Sequence, residues 1–279
     1  MSAPKLVVRL DIDTIVCMRP GVEGLLGLAR EKSVRFTFFV NMGRAVSYGS
    51  SIRKVIGAGR SKTHGPVRKL PAREKLGLKG LLTTLAFNPE VGNRYPQLLA
   101  RVVSEGHDLG LHGGRNHGEW HHNAAAWSED KVREEIQWGI SAMAELGLPA
   151  PVLFSSPGFT TPDGIVRILS ELGFKVLADA HSGESEAIYA DPEVLGFKHA
   201  NTTLLGEPGA VGYIESVIAG VQPFSEVEKA LKARLLLGDA ILYDHPCLAG
   251  QGGVEQLSRI IDTWIESGGE VVPLSRLIS

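Results

Sequence analysis

The sequence predicts an α/β fold built on a parallel sheet that is either open or closed into a barrel. Short strand-like runs alternate with stretches of helical pattern along the chain. Its 279 residues are enough for one domain of barrel size, and 43% hydrophobic with 22% charged residues is ordinary for a globular protein. With no repeat, low-complexity segment or convincing linker, we predict one domain over residues 1–279.

In the first half, the strand "KLVVRLDID" precedes the helix "PGVEGLLGLAREK", which has Pro20 near its start. The strand "VRFTFFV" follows. The helix "NRYPQLLARVVSEG" ends at Gly106 and leads into the strand "HDLGLH". The next helix, "SEDKVREEIQWGISAMAELG", has Ser128 as its cap and Gly147 at its end.

In the second half, the strand "PVLFSS" leads to the helix "TPDGIVRILSELG", capped by Thr161 with Pro162 at its first position. The strand "FKVLAD" follows. A Ser225/Glu228 capping box then predicts a helix over "SEVEKALKARLLLG". The strand "AILYDH", the helix "VEQLSRIIDTWIESG" and the strand "EVVPL" complete the series.

Charge and cysteine content exclude several classes of protein. A net charge of −2 gives no reason to expect a nucleic-acid partner, and two cysteines imply no disulfide framework. The start "MSAPKLVVRLDID" lacks the basic and apolar regions of a secretory signal. Apolar runs are far shorter than the ~20 residues needed to span a bilayer. We therefore expect a cytoplasmic protein.

One stretch, between Met42 and Asn88, interrupts the alternation with a strongly basic insertion. It ends in the apolar run "LKGLLTTLAF" and has Glu74 as its single acid. Its ten basic residues are Arg44, Arg53, Lys54, Arg60, Lys62, Arg68, Lys69, Arg73, Lys75 and Lys79.

Two aspartates end the first predicted strand in "LDIDT". Asp11 and Asp13 point the same way on a strand, toward the usual site of α/β folds. The pKa values of two carboxylates this close move apart, so that one stays ionised and the other becomes more basic. This suits one metal ligand and one general base. The alternatives are a solvated strand end or a cap for the next helix.

The stretch "GHDLGLHGGRNHGEWHH" holds five of the nine histidines. His112 and His117 are five residues apart and cannot pair on a helix, but a loop at Gly113 and Gly114 can bring both to one ion. His117 with His121, four apart, is a competing helical pair. Histidines exposed on a polar loop are the third interpretation.

A further histidine, His245, ends the late strand "ILYDHPC" and follows Asp244. If the sheet closes, this strand end lies beside the first one, so that His245 faces the Asp11/Asp13 pair. Alone, such a histidine is more often structural.

The motifs "LDIDT", "GLHGGRNH", "SSPGF", "LAD" and "LYDHP" resemble, in order, those of the NodB-type polysaccharide deacetylases, carbohydrate esterase family 4. The similarity runs from about Leu6 to the closing "PLSRLIS". Within the family the sequence looks nearest to the formamidoarabinose-phosphoundecaprenol deformylase branch. That similarity rests on "GVEGLL", "NMGR", "LKGLLTTLAFNPEVGN", Trp120 and the closing segment.

The resemblance implies a distorted, incomplete (β/α) barrel of about seven strands, with the basic insertion at about 42–92. It also implies a hydrolase that removes a formyl or acetyl group from an amino sugar. Asp11 would be the general base and His245 the acid. Asp13 would bind a divalent metal, zinc in the first place and cobalt, nickel, iron or manganese as alternatives, together with two histidines.

The sequence departs from the family pattern at two motifs. The family spaces its metal-binding histidines four apart, a position held here by Asn116, whereas counting back from Trp120 indicates His117. We predict His112 and His117 as ligands, with Asn116 as a substitute. The third motif lacks the arginine that buttresses the base in many members. Asp179 matches the aspartate that tunes the acid histidine, and Asp244 is a rival partner.

Resemblance also suggests how a substrate is held, with the following expected contacts: Arg19, Trp120, Pro157, Gly158 and Phe159. Trp120 and Phe159 would stack on a sugar ring or pack in the core, and Arg19 would contact a phosphate or cap a loop. The deformylase branch acts on a lipid phosphate, so the basic insertion would contact an anionic membrane at its inner face or cover the barrel.

Two alternatives to this function remain at the level of the sequence. One is a degenerate barrel that binds a glycan or lipid head group without turnover. The other is a deacylase that acts on a non-sugar amide, since fold alone does not select the substrate.

Overall fold

A single β-sheet organises the molecule. The computed structural model describes residues 3–47, 77, 80, 82–84, 86–181, 186–206, 212–219 and 223–278. Within these ranges the strands are β1 Lys5–Ile12, β2 Thr37–Val40, β3 Asp108–His112, β4 Leu153–Ser155, β5 Val176–His181, β6 Ile188–Ala190, β7 Lys198–Thr202, β8 Ala240–Asp244 and β9 Glu270–Val271.

The strand order is β6-β7-β5-β4-β3-β2-β1-β8, with β9 paired to the start of β1. The described pairings are parallel except that of β6 with β7. The carboxyl ends of β1, β3 and β8 therefore meet at one edge of the sheet. This edge is where the predicted site residues were expected.

Backbone hydrogen bonds after β7 curl the sheet toward closure. Thr203 and Leu204 donate their N–H groups to the Ile241 carbonyl, both at 3.0 Å. Tyr243 N–H donates to the Leu204 carbonyl at 3.1 Å, and Leu204 forms a parallel bridge with Leu242. The predicted distorted, incomplete (β/α) barrel is confirmed, with β7 and β8 joined by this short contact.

Helices surround the barrel, and an irregular helical turn over Cys17–Val22 precedes the first of them. In the described residues they are α1 Glu23–Lys32, α2 Pro96–Ser104, α3 His117–Asn123, α4 Glu129–Glu145, α5 Ile165–Glu171, α6 Tyr213–Ile218, α7 Phe224–Leu236, α8 Pro246–Ala249, α9 Val254–Glu266 and α10 Ser275–Ile278. None of the helices in these ranges is both long and apolar enough to cross a membrane.

One predicted helix cap is confirmed and two are wrong. Ser128 caps α4 by accepting a hydrogen bond from the backbone N–H of Lys131. Helix α5 has no side-chain cap, because Gly164 precedes it, and the Thr161 hydroxyl donates to Asp179. Helix α7 starts directly after Pro223, one residue earlier than predicted, and no side chain caps it.

Alternation along β1 separates the core from the site. Leu6, Val8 and Leu10 are fully buried against the helices. Val7 joins a second apolar cluster inside the barrel, and the side chain of Arg9 points the same way. Because the side-chain period of a strand is two, Asp11 also faces the barrel interior.

The basic insertion predicted at about 42–92 lies largely outside the described residues, which omit 48–76, 78–79, 81 and 85. Its ends are held together by Asn88, which accepts the Val46 N–H at 3.0 Å and donates to the Val46 carbonyl at 2.6 Å. At its apolar end, Leu82 and Phe87 are 57% and 79% exposed.

Candidate active site

The carboxylate of Asp13, just past the end of β1, lies among three imidazoles. Its Oδ1 atom is 3.3 Å from Nε2 of His112 and 3.3 Å from Nε2 of His117. Its Oδ2 atom is 3.1 Å from Nε2 of His245. Burial disfavours ionisation, but His117, His245 and His112 hold the pKa of Asp13 well below its usual value. Asp13 is therefore anionic at neutral pH.

Three of these residues fit a divalent metal ion. One potential ligand atom each from Asp13, His112 and His117 lies within 4.8 Å of the others. Asp13 Oδ1 is buried and has no hydrogen-bond partner among the described residues. One carboxylate and two imidazoles make a ligand set typical of catalytic zinc and related metals.

The ring of His112 is oriented by Ser155, its register partner on β4. His112 Nδ1 is 2.7 Å from Ser155 Oγ and 3.1 Å from the Ser155 carbonyl oxygen. A proton on Nδ1 that is donated to Ser155 leaves the lone pair of Nε2 facing Asp13. Such a contact fixes the tautomer of a metal-binding histidine.

The second histidine, His117, is the first residue of α3, and this position brings its imidazole to Asp13. Asn116 is the helix cap: its side-chain oxygen accepts the Glu119 N–H at 2.9 Å, and its amide donates to the Val46 carbonyl at 3.1 Å. The Asn116 side chain is thus committed to backbone groups, and His117 supplies the imidazole that meets Asp13. His117 stays the predicted second histidine ligand.

A buried carboxylate that sequence reasoning missed holds the loop between the two histidines. Glu135 on α4 is 4% exposed and accepts hydrogen bonds from Arg115 N–H (2.7 Å), Arg115 Nη1 (3.0 Å) and Lys131 Nζ (2.7 Å). A Cβ on Gly114 would come within 2.5 Å of Glu135 Oε2. Close packing at Gly114 and the contacts of Arg115 shape this loop so that His112 and His117, five residues apart in the sequence, both reach Asp13.

Asp11, the predicted base, is buried beside a second residue that sequence reasoning missed. Arg9 donates from Nε to Asp11 Oδ1 at 3.1 Å and from Nη2 to Asp11 Oδ2 at 2.8 Å. Its Nη1 group donates to the Ala178 carbonyl. The alternation of β1 was the available signal, since residues 9 and 11 share one face.

His245, the predicted acid, contacts Asp13 and the Tyr243 hydroxyl, which is 3.2 Å from its Nε2. Burial alone would lower the pKa of His245, but the Asp13 carboxylate raises it to about 9. Asp244 faces away: its carboxylate accepts the backbone N–H groups of Ile214 (2.5 Å) and His245 (2.7 Å). It therefore serves the backbone rather than the imidazole.

Asp179, on β5, holds the segment that follows β4. One carboxylate oxygen accepts the Ser156 N–H at 2.7 Å and the other accepts the Thr161 hydroxyl at 2.8 Å. These two bonds fix the turn Pro157–Phe159. The role of Asp179 in tuning His245 stays a prediction.

The predicted substrate contacts divide by exposure. Gly158 is exposed, Phe159 is half-buried with its ring centroid 5.0 Å from that of His181, and Pro157 is buried. Arg19 has 60% of its side chain exposed and pairs with Glu23 at 3.2 Å.

Trp120 is fully buried. Its indole N–H donates to the Thr160 carbonyl at 3.0 Å, and its ring packs against Trp127 and Phe154. This placement gives Trp120 a packing role rather than a sugar-stacking one.

The three remaining histidines of the motif lie apart from Asp13. His107 accepts the Phe36 N–H at Nδ1 (2.9 Å), and burial together with Arg35 lowers the pKa of His107 to about 4. His121 and His122 are exposed on α3 with ring centroids 4.6 Å apart. In the described part of the chain, His121 is outside the group that could hold a metal.

Comparison with known proteins agrees with the fold and the motifs. The sequence model of the polysaccharide deacetylase family matches residues 3–177. This chain belongs to the polysaccharide deacetylase family. The chain is also similar to the probable 4-deoxy-4-formamido-L-arabinose-phosphoundecaprenol deformylase of Shewanella sediminis. That likeness is 24% identity over 186 residues, which is 66% of this chain and 59% of the relative's length.

Solved structures of other proteins share the fold of this chain. One from Mycobacterium smegmatis, classed with the polysaccharide deacetylases, has a TM-score of 0.65 at 16% identity and covers 99% of this chain and 92% of its own. The Puue allantoinase has a TM-score of 0.61 at 15% identity, with coverage of 98% and 88%.

Proposed function

We propose that this protein is a metal-dependent hydrolase that removes an N-acyl group, formyl or acetyl, from an amino sugar. The observation that carries the proposal is the meeting of Asp13 with the imidazoles of His112, His117 and His245 within 3.3 Å. Membership of the polysaccharide deacetylase family supports the reaction class.

Asp13, His112 and His117 would hold the divalent ion, zinc in the first place and cobalt, nickel, iron or manganese otherwise. When bound, such an ion polarises the acyl carbonyl and makes water more acidic. Ser155 would keep His112 in the tautomer that presents Nε2.

Asp11 would act as the general base. Its two oxygens are held by Arg9, and each retains a lone pair that can accept a proton from the attacking water. Asp11 Oδ2 is 3.8 Å from His112 Nδ1, so the base lies next to a proposed metal ligand.

His245 would act as the general acid. Its Nε2 lies 3.1 Å from Asp13 Oδ2, at the edge of the proposed metal site, from where it would donate a proton to the departing amine nitrogen. Tyr243, whose hydroxyl lies 3.2 Å from that nitrogen, would hold the ring in place.

The substrate we propose is an amino sugar joined to a lipid phosphate, because the relative from Shewanella sediminis is named as a deformylase of formamido-arabinose-phosphoundecaprenol. Arg19 is exposed and suits contact with a phosphate. Exposed Leu82 and Phe87 at the end of the basic insertion suit peripheral contact with an anionic membrane. We place the protein in the cytoplasm, at the inner membrane face.

A hydrolysis assay tests the proposal. The purified chain is incubated with formamido and acetamido sugars, free and undecaprenyl-phosphate-linked, and released formate or acetate is measured. We expect release that a chelator stops and added zinc or cobalt restores. Asp13→Ala should abolish it, whereas Asp130→Ala, an exposed aspartate on α4, should not.

Three kinds of result would contradict the proposal. Full activity of Asp13→Ala, or activity unaffected by a chelator, would exclude the metal-dependent mechanism. Hydrolysis of allantoin or another non-sugar amide, with none of the amino sugars accepted, would replace the substrate class. Binding of the glycan with no turnover by metal-loaded protein would support the degenerate-barrel alternative instead.

A further inference from the structure

Arg9 is buried in the barrel interior, directly behind the proposed base. It is 1% exposed and precedes Asp11 by two residues on the same face of β1. Two of its nitrogens donate to the two oxygens of Asp11, in the side-by-side geometry that guanidinium and carboxylate groups favour. Such a pair fixes the plane of the carboxylate as well as its charge.

Three aromatic rings and one carbonyl fix the guanidinium in turn. Its central carbon lies 5.1 Å from the ring centroid of Phe39, 5.0 Å from that of Phe159 and 4.9 Å from that of Tyr243. The remaining nitrogen donates to the Ala178 carbonyl on β5. Arg9 thus has contacts from four parts of the barrel, which leaves its orientation little freedom.

The end of β4 and the turn after it supply no basic residue to Asp11, since Ser155, Ser156, Pro157, Gly158 and Phe159 carry no charge. A buried carboxylate needs a partner that compensates its desolvation. Of the described residues, Arg9 is the one that pairs with Asp11 through two hydrogen bonds.

We propose that Arg9 is the positioning residue of the base, which fixes the direction in which Asp11 meets the attacking water. The inference rests on the proposed function. Through the Tyr243 ring, whose hydroxyl contacts His245, the same guanidinium also supports the acid. Lysine cannot replace it, because an ammonium group is a point charge without the planar fork.

The test starts from Arg9→Lys, which keeps the charge. We expect kcat to fall on the order of 10- to 100-fold, the loss typical of a catalytic group displaced by about 1 Å. KM should stay within about threefold, and metal content should not change, because Arg9 is buried behind Asp11 and its hydrogen bonds go to Asp11 and Ala178. Arg133→Lys, which changes an arginine paired with Glu171 on the outer surface, is the matched control and should leave kcat unchanged.

A double-mutant cycle separates positioning from a general structural role. If Arg9 acts through Asp11, Arg9→Lys should cost little in an Asp11→Asn background, and kcat of the double variant should match that of Asp11→Asn within about twofold. If the losses in kcat of the two single variants instead multiply in the double variant, Arg9 acts elsewhere and the inference is overturned.

Should Arg9→Lys fail to fold, the double variant Arg9→Met/Asp11→Asn removes both buried charges together and leaves neither unpaired. Its kcat should then equal that of Asp11→Asn, and a further loss overturns the inference. Unchanged kcat in Arg9→Lys overturns this inference alone. No turnover by the unaltered protein overturns the proposed function and this inference with it.

Discussion

Replacing Ser155 with alanine tests how the metal site is oriented. The Ser155 hydroxyl lies 2.7 Å from His112 Nδ1 and is fully buried, so no water replaces it easily. The Ser155 carbonyl oxygen lies 3.1 Å from the same nitrogen but already accepts the Gly113 N–H. The hydroxyl is therefore the main acceptor for the Nδ1 proton.

Loss of a hydrogen bond to the ring nitrogen that does not bind the metal typically lowers metal affinity by roughly 10- to 100-fold. Because the Ser155 carbonyl remains as a weaker acceptor, we expect the lower end of this range in Ser155→Ala. A loss of about 10-fold in zinc affinity corresponds to about 1.4 kcal/mol. The variant should stay folded, because the change removes one oxygen and adds no bulk.

Zinc affinity would be measured by competition with a chromophoric chelator. Ser156→Ala is the matched control, since Ser156 is the next residue, is also buried, and its hydroxyl has no hydrogen-bond partner among the described residues. We expect the control to bind zinc like the unaltered protein. Equal affinity in Ser155→Ala and Ser156→Ala would refute the orientation of His112 by Ser155.

Two further predictions concern neighbours of the site. Asp244→Asn should lower kcat by about tenfold or less, because the amide loses one of the two backbone N–H bonds that the carboxylate accepts from Ile214 and His245. A loss approaching 10⁴-fold, as when a triad aspartate becomes asparagine, would make Asp244 the partner of the His245 imidazole. His107 stays neutral in the fold, since its Nδ1 accepts the Phe36 N–H and its pKa is lowered to about 4, whereas the unfolded chain takes up a proton near pH 6.5. The free energy of unfolding should therefore fall by up to about 3 kcal/mol as pH drops from 6.5 to 4. Urea titrations of the unaltered protein and of His107→Asn, which keeps an acceptor, check this; equal pH dependence would contradict it.

The edge where the site lies could be predicted from the sequence because it follows from local patterns. Strand-like runs before Asp13, His112 and His245 each end in a chemically active residue, and carboxyl ends of parallel strands share an edge. The structure brings these three side chains into contact.

Residues that act through tertiary contacts could not be predicted in the same way. Glu135 lies twenty residues beyond Arg115, and no local pattern connects a helix carboxylate to that loop. Thr161 was predicted to cap a helix, but α5 begins only at Ile165, and the Thr161 hydroxyl donates to the distant Asp179. Arg9, in contrast, could have been predicted from the alternation of β1, because residues 9 and 11 lie on the same face of the strand.

The strands β6 and β7 were also missed. The segment "IYA" is only three residues long and "KHANT" is mostly polar, so neither shows a strand pattern, and pairing with β5 makes β7 a strand. Tertiary pairing overrides weak local preference in such segments.

Metal binding by variants of the two rival histidines tests the central claim most directly. Elemental analysis after zinc loading and desalting would be made on the unaltered protein, on His117→Ala and on His121→Ala. The site of Asp13, His112 and His117 predicts about one zinc per chain in the unaltered protein and in His121→Ala, and little in His117→Ala. Zinc retained by His117→Ala and lost by His121→Ala would contradict it.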